Sequence, residues 1–277
     1  MLTSCIKEVS IKIPDYNSLP VVNCLFQSDS LMHIYISYSA STNDFILYPK
    51  EINQLVVYEN NEKIEVDYIF KEKTIITNLR PKENNIYKLE LLVDDNIKVV
   101  TSDLLPFYKE FEIIDYISKV GKDDEGDYFS EVVIELFDSK ETENYYELTY
   151  ELHTKYGSIS SGDLWSYDLA FVSEDGVEFY YPNLLFSNKF LKQGQNLLRF
   201  NFRYEGDEKD IVITLRSVSN NYYKYKKSLA LHLDNQEGDI WDGGGNPVTL
   251  FSNIENGYGI FAGYQEYSDT IFVNKNR

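Results

Sequence analysis

The residues in this chain that could do chemistry or recognition are few and scattered. Glu147 and Glu151 could form a glycosidase pair, whose acid and base need only lie about 5–10 Å apart. With 45 acidic residues, though, such pairs arise by chance. The run Asp123-Asp124-Glu125-Gly126-Asp127 offers oxygen ligands of the kind calcium prefers, but without the alternating spacing that wraps a loop around an ion; it reads as a solvated acidic turn, and no metal is expected. His33, His153 and His232 are far apart in sequence and are expected to be structural. No Gly-x-Ser-x-Gly, His-Glu-x-x-His or phosphate-cradling glycine motif occurs, so no catalytic set and no cofactor are expected. The remaining candidates are aromatic contacts. Trp241 stands in the loop Asp239-Ile240-Trp241-Asp242-Gly243-Gly244-Gly245-Asn246, and Trp165, Tyr180 and Tyr181 raise the same question. Each could stack on a sugar, anchor in a partner protein, or fold back onto the body.

The elements that must position these residues are strands. Of 277 residues, 24 are Tyr and 16 Phe, and hydrophobic residues make up 43%, ample material for buried cores. The length suggests two of them. Alternating runs at 21–26, 31–38, 54–58, 63–70, 74–77, 86–93 and 97–101, punctuated by turn residues, predict an immunoglobulin-like sandwich over 21–105. The pattern breaks at 102–106. Longer runs at 110–120, 129–137, 145–154, 168–172, 176–181, 196–204 and 210–217 predict a larger sandwich over 106–277. Tyr222, Tyr225, Leu229, His232 and Leu233 recur at helical spacing after Ser219, a natural N-cap, and predict one amphipathic helix over 219–235. The fold class is therefore all-β, with two sandwich domains and one helix.

A formal net charge of −19 repels phosphate backbones, which argues against nucleic acid as a partner. No window of about 18 apolar residues is present, so any membrane link must be covalent or through a partner. Leu2-Thr3-Ser4-Cys5 reads as a lipobox whose cysteine is acylated, with residues 1–20 as a tether. No basic and apolar signal regions precede Cys5, which implies a late Met1 or a leader absent from this sequence. From composition alone, a cytosolic protein with a buried thiol stays open, as does a bridge between Cys5 and Cys24.

Toward the C-terminus the residues become specific. Asn246-Pro247-Val248 followed by Phe251-Ser252-Asn253-Ile254-Glu255-Asn256-Gly257-Tyr258-Gly259-Ile260-Phe261-Ala262-Gly263-Tyr264 resembles the closing motif of a Bacteroidota outer-membrane lipoprotein family catalogued as domain of unknown function forty-two forty-nine. Leu215-Arg216-Ser217-Val218 with Tyr222-Tyr223-Lys224-Tyr225, Phe137-Asp138 with Asn144-Tyr145-Tyr146, and Cys5-Ile6-Lys7-Glu8-Val9 with Pro14 and Val21-Val22-Asn23 are similar to further segments of that family. The resemblance implies a lipid on Cys5, an outer-membrane location at the cell surface, and a non-catalytic accessory role beside a TonB-dependent transporter, a β-barrel partner. A structural subunit of a secretion or assembly machine is the alternative, and a carbohydrate-active or peptide-cleaving enzyme is a third. The glycine and aromatic alternation of the closing motif is expected to be a fold signature rather than an active site.

Overall fold

The computed structural model describes residues 17–41, 45–94, 97–123, 125–154, 157–159, 164–171, 183–203, 210–237 and 248–273. The N-terminal strands are β1 (Pro20–Phe26), β2 (His33–Tyr38), β3 (Ile52–Glu59), β4 (Glu62–Ile64), β5 (Tyr68–Lys71), β6 (Thr74–Thr77), β7 (Ile86–Val93) and β8 (Ile97–Leu104). They form two facing sheets, in orders β1-β2-β6-β5 and β4-β3-β7-β8. This is the strand order of an immunoglobulin-like sandwich. The alternation that predicts it is visible in β7, where Tyr87, Leu89, Leu91 and Val93 are buried and the residues between them are not. At the start of β7 the Tyr87 hydroxyl accepts from the Lys82 amide at 2.7 Å and donates to Glu59 at 2.6 Å, a tyrosine corner.

The second half contains β9 (Phe111–Lys122), β10 (Tyr128–Asp138), β11 (Tyr145–Thr154), β12 (Gly157–Ile159), β13 (Leu164–Trp165), β14 (Leu184–Ser187), β15 (Gly194–Arg203), β16 (Asp210–Val218), helix α1 (Asn220–Glu237) and β17 (Tyr258–Ile271). A four-stranded sheet β13-β15-β10-β9 faces a sheet built around β11, β16 and β17, and their inner faces bury Val132, Ile134, Tyr146, Leu148, Phe200 and Ile213. The all-β class and the helix hold. Ser219 caps α1, its hydroxyl accepting from the Tyr222 amide at 3.1 Å. The strand expected at 168–172 is instead a 3-10 turn at Leu169–Phe171. Its polar residues close it locally: the Phe171 amide donates to the Asp168 carbonyl, and the Asp168 amide to the Ser166 hydroxyl. The strand expected at 176–181 lies outside the described residues.

Strand β17 belongs to both sandwiches. Tyr258 to Gly263 pair in parallel with Val21 to Phe26 of β1, and Tyr264 to Ile271 pair antiparallel with β16. One nine-stranded sheet therefore runs through the molecule. Phe261 and Ile254 pack in the N-terminal core, while Tyr267 and Ile271 pack against the C-terminal one.

Candidate functional site

The closing motif acts as a joint. A Cβ on Gly259, whose φ is +107°, would lie 2.1 Å from the Val22 carbonyl oxygen, and one on Gly263 would lie 2.4 Å from that of Leu104. Only glycine lets β17 approach these backbones. Asn253 extends the pairing by accepting from the Phe261 amide at 3.0 Å and donating to its carbonyl at 2.7 Å.

Three buried carboxylates sit at such joints. Asp103 of β8 accepts from the Ser219 hydroxyl, from Asn221 at 2.9 Å and from the Gly263 amide at 3.1 Å, tying the N-terminal sandwich to the first turn of α1 and to β17. Burial pushes its carboxyl up, and these bonds only partly offset that, leaving it at about 6. Asp138 accepts from Tyr146 at 2.6 Å, Asn144 at 3.0 Å, Asn188 at 3.1 Å and the Lys140 amide at 2.6 Å. Burial pushes this carboxyl up too, but the four donors outweigh it and hold it below the usual range. Phe137-Asp138 and Asn144-Tyr145-Tyr146 thus form a corner that fixes the β10 to β11 connection.

Glu147 is fully buried beneath α1. Its carboxylate meets Lys226 at 3.1 Å, Arg216 at 3.1 Å, the Tyr222 hydroxyl at 2.6 Å and Asn183 at 2.9 Å. Burial raises its pKa, but Lys226, the Tyr222 bond and Arg216 overcome this and keep it ionised. Arg216 also reaches Glu266 at 3.0 Å. Glu151, four residues along the same strand and so about 13 Å away, pairs at the surface with His153 at 3.1 Å. Glu147 and Glu151 are therefore too far apart for the glycosidase arrangement.

The other sequence candidates resolve case by case. Asp123, Glu125 and Asp127 have carboxylate oxygens within 4.8 Å of one another, and Arg203 reaches them at 3.7, 2.7 and 3.5 Å, so one guanidinium bridges the three and offsets part of the turn's negative charge. His232 Nδ1 lies 2.9 Å from the Val248 carbonyl, between α1 and the segment before β17. Cys24 is a free thiol in the N-terminal core, and burial pushes its pKa well up. Cys5, Tyr180, Tyr181 and Trp241 lie outside the described residues.

Trp165 lies on the outer face of the C-terminal four-stranded sheet. It pairs with Asn201 of β15 and packs edge-on against Phe129 at 5.7 Å, half-buried. The Asn201 Oδ1 beside it is buried without a hydrogen-bond partner among the described residues. From there a continuous surface runs along β15 and β10. Tyr167, 88% exposed, and Leu169 project from the turn after Trp165, and Asp168 anchors that turn by accepting from the Arg199 amide at 2.6 Å. Next to Arg199 along this face comes exposed Leu197, opposite Glu135, and then exposed Phe137, opposite Gln195. This surface is not legible in the sequence, because Leu197 and Phe137 look like core positions until their strand register is known. With Tyr167, Leu169, Leu197 and Phe137 exposed over the sheet, the face can bind a partner.

The match to known families covers nearly the whole chain: residues 6–270 fit the family described as Domain of unknown function (DUF4249). The chain belongs to the DUF4249 family. The closing motif, the Asp138 corner and the α1 contacts of this DUF4249 protein all fall within the matched region. No curated protein matches it. A solved DUF4785 family protein from Legionella pneumophila is similar at 12% identity over 84% of this chain, with a TM-score of 0.25, too loose to carry an argument. The chain spans 53% of that protein's length.

Proposed function

We propose that this DUF4249 protein is a non-catalytic lipoprotein of the outer membrane, held at the cell surface by an acylated Cys5. It serves as an accessory subunit of a TonB-dependent transporter, with the outer face of the C-terminal sheet as its docking surface. One observation carries the non-catalytic reading: the three buried carboxylates among the described residues, Asp103, Asp138 and Glu147, are each saturated by bonds that join elements of the fold. Tyr167, Leu169, Leu197 and Phe137, by contrast, present exposed apolar surface.

Purification from membranes in mild detergent through a C-terminal tag tests this. A diacylated or triacylated Cys5 peptide and one β-barrel protein in equal amount are expected. An unmodified Cys5, or recovery of the protein alone, contradicts the proposal. Recovery of a many-component assembly favours a structural subunit of a secretion or assembly machine.

A further inference from the structure

We infer that the loop Phe45–Tyr48, at the pole of the N-terminal sandwich farthest from the C-terminal one, is a second membrane contact that inserts into the lipid interface. The inference deepens the lipoprotein reading and takes its membrane from it, but the loop's own geometry points to lipid. Phe45 is 91% exposed, Ile46 59%, Leu47 62% and Tyr48 40%, four consecutive apolar or aromatic residues turned to solvent. Such a run serves little purpose on a surface that meets only water.

The loop is held at a defined place. The Tyr38 amide donates to the Leu47 carbonyl at 2.8 Å, and Tyr48 packs edge-on against Tyr35 at 6.4 Å. The chain reaches β1 at this same pole. The Ser39 amide donates to the Leu19 carbonyl at 2.8 Å, and the Ser18 hydroxyl to the Ser39 carbonyl at 2.6 Å. Pro20 stands opposite Tyr38. Ser18 therefore lies beside the apolar loop, and twelve residues, the sequence separation of Cys5 and Asn17, span no more than about 40 Å even when fully extended.

The start of β17 marks the same pole, with Tyr258 opposite Val21, and its far end lies in the C-terminal sandwich, about 43 Å away at strand rise. A body tethered at the Ser18 pole can thus rest its apolar tip on the lipid.

Cations are available at this pole in Lys50, Lys71 and Lys73, beside Glu51, Glu72 and Asp94. Asp94 is further occupied by Tyr38 at 2.7 Å and the Lys50 amide at 2.9 Å. Lys73 sits over the Tyr35 and Tyr48 rings at 5.1 and 5.6 Å, and aromatic rings with nearby lysines are the composition of a lipid-interface anchor.

The test uses the full chain with Cys5→Ser, so that its outcome does not depend on acylation. This protein is expected to co-sediment with phosphatidylcholine vesicles, and less well when phosphatidylglycerol is added, because of its net charge. Phe45→Ser with Leu47→Ser should weaken vesicle binding about tenfold or more and leave the melting temperature unchanged. Phe45→Trp should show a blue-shifted fluorescence increment on vesicles over the Cys5→Ser parent. No co-sedimentation, equal binding by the loop variant, or loop-dependent binding to a purified β-barrel but not to vesicles would overturn the inference, the last in favour of a protein partner. An unacylated Cys5 in cells would defeat the tether while leaving the vesicle result standing.

Discussion

Replacing Glu147 by Gln removes the charge that joins Lys226 of α1 to Arg216 of β16. Lys226 and Arg216 each sit 3.1 Å from its carboxylate, and their side chains are only 17% and 29% exposed. Removing one partner of a buried ion pair costs about 3–5 kcal/mol, chiefly because the opposite charge stays buried and unpaired. Arg216 keeps Glu266 at 3.0 Å, which places the cost near the lower end, at about 3 kcal/mol. A chain of this size should then melt about 6–12 °C lower. Glu147 titrates below its usual range in the folded protein, so its contribution is fully present above the unfolded carboxylate value of about 4.3. That contribution is lost as pH falls through the lower folded value, and the variant and parent should converge in strong acid. Urea unfolding at neutral and acid pH measures both effects. Adding Lys226→Met to Glu147→Gln should recover part of the loss, because it removes one stranded cation. A loss under about 1 kcal/mol at neutral pH, or no recovery in the double variant, would refute the assignment of Glu147 as the charge that clamps α1.

Asp103 carries the opposite pH signature. With its folded pKa held up to about 6, against about 3.9 unfolded, its contribution to stability is full below about pH 4 and is lost as pH rises through 6, amounting to about 3 kcal/mol over that window. Asp103→Asn should flatten this part of the curve of unfolding free energy against pH, and an unchanged slope would contradict the reading. Gly263→Ala places a Cβ against the Leu104 and Leu105 backbone, neither of which can yield like a flexible side chain; chemical denaturation should show a loss of about 2 kcal/mol or more, and a loss under 0.5 would be contrary. Tyr87→Phe removes bonds to Glu59 and Lys82 and should cost about 1–3 kcal/mol in the same assay.

Much of the fold was legible because alternation is a local signal. Tyr87 to Val93 announces its inner face residue by residue, and Ser219 with the spaced tyrosines after it announces α1. What escaped the sequence depends on distant partners. Nothing within Tyr258 to Ile271 says that its first half pairs with β1, more than 200 residues away, and its second with β16. Glu147 occupies what alternation assigns to a solvated face, and only the placement of α1 turns it into a buried charge. Its signal was present as Arg216 and Lys226, cations on two elements that a third must neutralise. Tyr87 was hidden among 24 tyrosines, since a corner hydroxyl and a core ring look alike until their bonds are seen. The exposed outer face of the C-terminal sheet was hidden for a similar reason: Leu197 and Phe137 are apolar strand residues, and register alone shows that they point outward.

The most direct test of the account is a photo-reactive residue placed at Tyr167, on the exposed turn of the C-terminal sheet, and illuminated in intact cells. The account predicts one dominant cross-link to a TonB-dependent β-barrel protein, reduced by Leu197→Arg. Absence of any cross-link, or cross-links only to proteins that are not of the outer membrane, would contradict it.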